Sequence, residues 1–527
     1  MEEVDAEIKK LDVSVNQVTG TESNFAQLVT TYPDNSTSTE NIIQMYKSTG
    51  NNEDGTMTQK AISEAIAAGG GNGSSAPTNL GANNKGHLVA VGNDGGLTVA
   101  DATEASLVEL LIRSGAYTAR AAVGLEVNYE DKTFARIQNA SGLSMGSDFD
   151  SYAMYGGRMR CNVAADGTIN AFYGDTGYTD DGSNGQAMVY QPRFYYKRVP
   201  LKAQVGNRGK IIRHESIIIS YEEQAGFKLH PLFKAANGDT LDYVLLPAYE
   251  GSISNNKLVS VGNGAKPISG LTIAQARSAA EANGTGWRLV NMEAESAQQM
   301  LEIIEFGSMN GQNALEAGIS NINVTSGINC SSLTGSTASL GNATGHADST
   351  INEINGNTNT YTDAGRRAIS YRGVENPWGN IWHFVDGITI HGDGQSNGGQ
   401  PHIYNASTNS YEGIGFNLPS VYGWISAMGY GNEAYDWVFM PAECSTSANS
   451  ALPVGDNLWT ISNMNKDTMV VAGGACGFTD NNGPFYYGCD RTSDETFSNY
   501  GAKLMFIPTK GEIYTANIAK WNTHMGG

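Results

Sequence analysis

The chain has 527 residues, enough for two or three domains each with a core of its own. Its 64 glycines, its abundance of Asn, Ser and Thr and its 16% charged residues favour turns, short strands and amide- or hydroxyl-bearing surfaces over long helices. A formal net charge of −21 with no basic run longer than a pair argues against nucleic acid as a partner, and no apolar run approaches the roughly 20 residues that a bilayer span needs.

The start, MEEVDAEIKK, is charged rather than apolar, so no secretory signal is expected and synthesis in a cytoplasm is. From there Val4, Ile8, Leu11, Val15 and Val18 fall at alternating four- and three-residue steps, which predicts either a short heptad seam or a surface amphipathic helix. Phe25 and Val29 continue the phase past Glu22. After a polar stretch with Pro33, DGTMTQKAISEAIAAGGGNGSS at 54–75 predicts an alanine-rich helix and a glycine hinge. The TQKAISEAI portion resembles segments near the start of phage tail-fibre proteins, so 1–75 is read as a helical oligomerisation and attachment segment. Because a seam with Ile8 and Val15 opposite Leu11 suits a dimer by itself, the homotrimer we expect rests on that resemblance.

HLVAVGNDGGLTVA at 87–100 carries two apolar strands around an Asn-Asp-Gly-Gly turn, a hairpin signal, and a helix is expected at 102–114. Short strands and turn pairs then fill 123–178, so 76–187 is assigned as a β-rich spacer. The runs at 188–200, 214–233 and 242–252 read as consecutive core strands. Thr272 is placed as the cap of a helix to about Ala282, and a second helix is expected from Met292 to Phe306 with Ala297, Met300, Leu301 and Ile304 as its buried stripe. The Asn/Ser/Thr/Gly run at 307–364 predicts a long loop, either functional or ordered by neighbouring subunits. His214 and His230 are far apart and read as structural rather than as metal ligands. Cys161, Cys330, Cys444, Cys476 and Cys489 show no metal-ligand spacing and are expected as buried thiols. Nothing resembles a catalytic triad, a carboxylate pair or a phosphate loop.

The stretch YRGVENPWGNIWHFVDG at 371–387 is the densest apolar segment, and Gly379 with Asn380 permits a tight turn into a core strand. GNIWHFVDG (379–387) resembles the core strand of formylglycine-generating, sulfatase-modifying enzymes, which share a C-type-lectin-like fold with the variable proteins of diversity-generating retroelements. In the same order, GWRLVNMEAESAQQM (286–300), GGACGF (473–478) and YGAKLMFIP (500–508) resemble other segments of that family. The resemblance covers about 188–508 and implies an α+β chain: a short N-terminal helical coiled-coil segment, a β-rich spacer, a large C-terminal C-type-lectin-like domain and a tail at 509–527. The family's oxidase activity implies two closely spaced cysteines holding copper. Cys476 and Cys489 stand thirteen apart instead, so no enzyme activity, metal or cofactor is expected. Calcium-dependent sugar binding implies triplets that Glu375, Asn376 and Pro377 do not reproduce, and DGITIHGDGQSNGG at 386–399 reads as a solvated loop.

Binding remains. The segment 478–500 concentrates Tyr, Asn, Asp, Ser and Arg around turns, the residue types of adaptable recognition surfaces. Asp480, Asn481, Asn482, Tyr486, Tyr487, Asp490, Arg491 and Ser493, with Trp459, Asn463 and Asn465 just upstream, form the expected ligand face. The plainer account is that Phe485, Tyr486 and Tyr487 plug the end of the domain. By resemblance the chain is expected in a phage virion, assembled in the bacterial cytoplasm. It would bind a host cell-surface receptor by this face and other tail or baseplate proteins by its N-terminus. A purely structural baseplate or fibre part is the alternative.

Overall fold

A computed structural model describes residues 23–31, 37–46, 56–57, 87–91, 97–103, 122–322, 330–352, 358–447, 453–478 and 481–526, in two compact units, 1–114 and 115–527. In the first, Ser23–Thr31 pairs antiparallel with Thr37–Tyr46, which is flanked in parallel by Thr56–Met57. His87–Val91 and Leu97–Thr103 form the expected hairpin. That second strand occupies the start of the helix expected at 102–114, and Phe25 and Val29, expected to prolong a helical phase, lie in a strand. The heptad at Val4–Val18 and nearly all of the alanine-rich helix lie outside the described residues.

The α+β expectation is corrected: strands make up 36% of the molecule and helices 14%. The physical reason lies in the turns. Asn and Gly at positive φ, as at Asn255, Asn256 and Asn409, reverse the chain every few residues, before helices of several turns can form. Among the described residues only Ile273–Glu281, Met292–Phe306 and Glu512–His524 exceed two turns of helix. The first starts on a capping box between Thr272 and Gln275, the second on the Asn291 side chain, and Ala297, Met300, Leu301 and Ile304 are fully buried as expected.

Two sheets carry the second unit. A six-stranded sheet runs Trp287–Leu289, Leu504–Phe506, Tyr243–Pro247, Gln186–Pro192, Met159–Val163, Ile169–Phe172. The boundary assigned at 187/188 falls inside Gln186–Pro192, which pairs with Met159–Val163 on one side and Tyr243–Pro247 on the other. The segment assigned as a tail is built into the same core: Tyr514 stacks on Tyr243 at 5.2 Å, and Trp521 on Tyr190 at 5.2 Å.

The longer sheet passes from Tyr195–Gly206 and Gly209–Ser220 through Gly423–Tyr430, Asn457–Trp459, Tyr487–Gly488 and Thr468–Ala472 to Trp382–His391. The turn before this last strand has Gly379 at φ 76° and Asn380 at φ 60°. It delivers Trp378, Trp382, Phe384 and Val385 into the core. Asn380 also anchors the long loop, accepting from Ser332 N at 2.7 Å, and Glu375 accepts from Thr337 N at 2.7 Å. The chain itself thereby orders much of 307–364.

A disulfide between Cys330 and Cys476, 146 residues apart, adds a covalent tie. These two depart from the expected free thiols; Cys161 and Cys489 are free and buried, and Cys444 is free and half-buried. Spacing along the chain could not show that the long loop returns to the 473–478 turn. Deeper in, the fully buried Arg198 pairs with Glu215 at 2.5 Å and donates to the carbonyls of Gly429, Asp436 and Val438. The sheet and the 431–440 loop are thus bound to one charge that cannot be left unpaired.

Candidate ligand-binding face

Gly423–Tyr430 runs antiparallel to Asn457–Trp459 with Gly423 opposite Leu458. That register sets Tyr422, one residue before the strand, beside Trp459, and the two rings stack at 5.2 Å and 15°. Tyr422 is 59% exposed, Val421 before it is 43% exposed, and Ile461, which follows Thr460 after the strand, is 45% exposed. The pair is backed from below. Trp459 Nε1 donates to the Tyr486 hydroxyl, as does Asn481 Nδ2 at 3.1 Å, and the Phe478 ring lies 5.5 Å from Tyr486. A flat aromatic surface therefore stands at the end of the sheet on groups that cannot swing away.

The expected site residues divide. Asn463 and Asn465 are exposed on the turn after Trp459. That turn is fixed to 394–395 by Asn463 N donating to Gln395 O and Gly394 N donating to Met464 O. Arg491 and Ser493 are exposed, Asp490 is half-buried, and Arg491 is held by Asp490 at 3.1 Å with its guanidinium over the Phe497 ring. Asp480 lies outside the described residues.

Asn482 is buried and donates to Ala475 O, while Asn481 is half-buried with a shielded Oδ1 that has no partner among the described residues. Tyr486 and Tyr487, expected as central contacts, are fully buried. Tyr486 packs 4.5 Å from Trp382, and the Tyr487 hydroxyl accepts from Gln299 Nε2. Burial pushes both phenols upward in pKa. They are plugs under the face. The reason is that Tyr487–Gly488 is a strand between Asn457–Trp459 and Thr468–Ala472, so its side chains enter the core instead of a surface loop.

Tyr422, Val421 and Ile461 were missed. Their only sequence signal was position: Val421 and Tyr422 directly follow the turn-forming Pro419 and Ser420. The chemistry on offer here is stacking, hydrogen bonding by amides and one tethered guanidinium. Cys476 is bonded to Cys330, so it does not form the pair with Cys489 that the copper reading required. In the 386–399 segment Asp386 is bound by Arg277, and Asp393 accepts from the backbone of Gln395.

No protein-family model and no curated protein matches the chain. A solved structure, the Major Tropism Determinant P3c variant, aligns over 71% of this chain and 77% of that chain with a TM-score of 0.24 and 14% identity. A likeness at this level fixes neither fold nor site.

Proposed function

We propose that the chain is a receptor-binding component of a phage tail whose exposed Tyr422, stacked on Trp459, contacts a host surface ligand. One observation carries the reading: Tyr422, stacked on the half-buried Trp459 and with Val421 and Ile461 next to the pair in the chain, is held in solvent by a rigid sheet end instead of being covered. Exposed aromatic and apolar groups of this kind mark interaction surfaces. Asn463 and Asn465 on the same turn supply adaptable hydrogen bonds, and tyrosine and tryptophan supply rigid contact area.

The resemblance of TQKAISEAI to tail-fibre segments supports placement in a virion, trimeric and attached through 1–75. Light scattering that gives a monomer mass at micromolar concentration overturns the trimer. We further propose that the chain is not an enzyme. Oxygen consumption with added copper and thiol, lost in Cys489→Ser, overturns that.

The face is tested with Tyr422→Ala combined with Ile461→Ser, two exposed positions whose loss leaves the core intact. The folded variant is expected to lose host adsorption. Undiminished adsorption at an unchanged circular dichroism spectrum removes this face from the reading.

A further inference from the structure

Beyond the Leu504–Phe506 strand, residues 507–510, the turn at 234–239 and the Gln400–Asn405 hairpin enclose an open cleft of about 840 Å³. None of Val421, Tyr422, Trp459 and Ile461 lines it. Its size lies in the ~300–1,000 Å³ range of small-molecule sites.

Lys234, Arg288 and Lys510 stand on its walls, all exposed, and none makes a side-chain hydrogen bond or ion pair with a described residue. In a chain of formal charge −21 this gathering of unpaired cations runs against the overall balance. Asp239 and Glu412 share the walls and offset part of it, but each is bonded to neutral donors and to none of the three cations. Glu412 accepts from Tyr435, Thr408 and Asn405, and Asp239 accepts from Asn237 Nδ2.

Glu293 lies at the cleft with its Oε2 shielded and without a partner among the described residues, 3.7 Å from where a Cβ on Gly387 would stand. Burial raises its carboxyl to about 7, with Asp386 adding and Arg288 opposing. A large share is therefore neutral at physiological pH and able to donate a hydrogen bond.

Of the large apolar lining residues Leu232, Ile403 and Trp437 are buried and Ile507 is half-buried, and the exposed ones, Ala236, Ala406 and Ala434, are small. Amides and hydroxyls of Asn237, Asn405 and Ser407 remain, with the ring of Tyr404, 39% exposed and tied by its hydroxyl to Asn409. That is the lining of a site for a polyhydroxylated ring. We propose that this cleft binds an acidic saccharide, Arg288 pairing with its carboxylate, Lys234 and Lys510 flanking it, and Tyr404 stacking on a sugar ring.

Titration calorimetry on the full chain tests this with tri-galacturonate and sialyllactose as probes, and with methyl-esterified tri-galacturonate, lactose and a tri-glutamate peptide as comparisons. At least one acidic saccharide is expected to bind at least tenfold more tightly than its neutral counterpart and than the peptide. Arg288→Ala should weaken it tenfold or more and Tyr404→Ala severalfold, both exposed positions with the fold verified by circular dichroism. No binding of either acidic probe, equal binding of the neutral or peptide probe, or binding indifferent to Arg288→Ala overturns the assignment. Because the readout is direct saccharide binding, its failure leaves the adsorption test of the Tyr422 face untouched.

Discussion

The turn at 461–467, ISNMNKD, follows one strand of a short pair, the segment at 481–489, NNGPFYYGC, contains the other, and both are polar and asparagine-bearing. The first is largely exposed and the second almost wholly buried. What separates them is partnership. Residues 487–488 pair with strands on both sides, and Asp456 and Ala475 meet the polar groups around them, Asp456 accepting from Phe485 N at 2.8 Å and Ala475 O accepting from Asn482 Nδ2 at 3.0 Å. Apart from Asp467, which meets the strand-end His391 at 2.8 Å, the 461–467 turn has loop partners, and Asn463 and Asn465 face water. Aromatic residues in a polar segment therefore become anchors or plugs according to the strand beside them, not according to their own neighbours in sequence.

The comparison breaks most visibly on the buried side. Tyr487→Ala removes a fully buried ring and is expected to destabilise the second unit by about 3–5 kcal/mol, whereas Tyr422→Ala should cost under about 1 kcal/mol. Denaturant melts of the two variants check this. Comparable losses would mean that the exposed stack is structural. Cys330→Ser or Cys476→Ser opens a tie across 146 residues and is expected to cost about 2–4 kcal/mol; melting with and without reductant should reproduce the loss in the wild type and leave the variants indifferent. On the exposed side, Tyr422→Ala with Ile461→Ser should weaken a monovalent ligand contact by about 2 kcal/mol or more, though a multimeric particle masks part of that through avidity. Adsorption of the isolated protein competing against phage reads it.

The smallest effect is on pH. Burial raises Glu250 and Glu293 to about 7 and Glu302 to about 8. These carboxyls bind more protons folded than unfolded above their ordinary range, so the stability they contribute is complete at low pH and lost as pH rises through 7 and 8. Burial lowers His230 to about 3, which acts in the opposite sense only below the ordinary histidine value of about 6.5. The melting temperature should therefore fall from about pH 5 to about pH 8, most steeply above about pH 6.5 where His230 no longer offsets it, and Glu302→Gln should flatten that slope. A melting temperature that stays flat across this window would place those carboxyls in contact with solvent.

Much of the local architecture was legible in the sequence. The Gly379–Asn380 turn, the apolar strand after it, the strand runs at 188–252 and both capped helices follow from positive-φ residues, apolar periodicity and side-chain caps, all of which act within a few residues. Of the residues expected on the face, Asn463, Asn465, Arg491 and Ser493 are exposed, and Trp459 is half of the stacked pair. Tyr486 and Tyr487 could not be placed, because whether a short apolar pair is a surface loop or a central strand depends on strands from elsewhere in the chain. Tyr422 was missed for the same reason, since it becomes a candidate only when strand register sets it beside Trp459.

What the sequence alone determined was therefore the set of local elements, the acidic glycine-rich character and the turns, because propensity, capping and composition are properties of neighbouring residues. Tertiary structure decided that strands dominate, that 509–527 enters the core, that Cys330 meets Cys476, and which aromatics face water. Each of those depends on contacts between residues far apart in the chain, whose free energy exists only once the sheets have assembled.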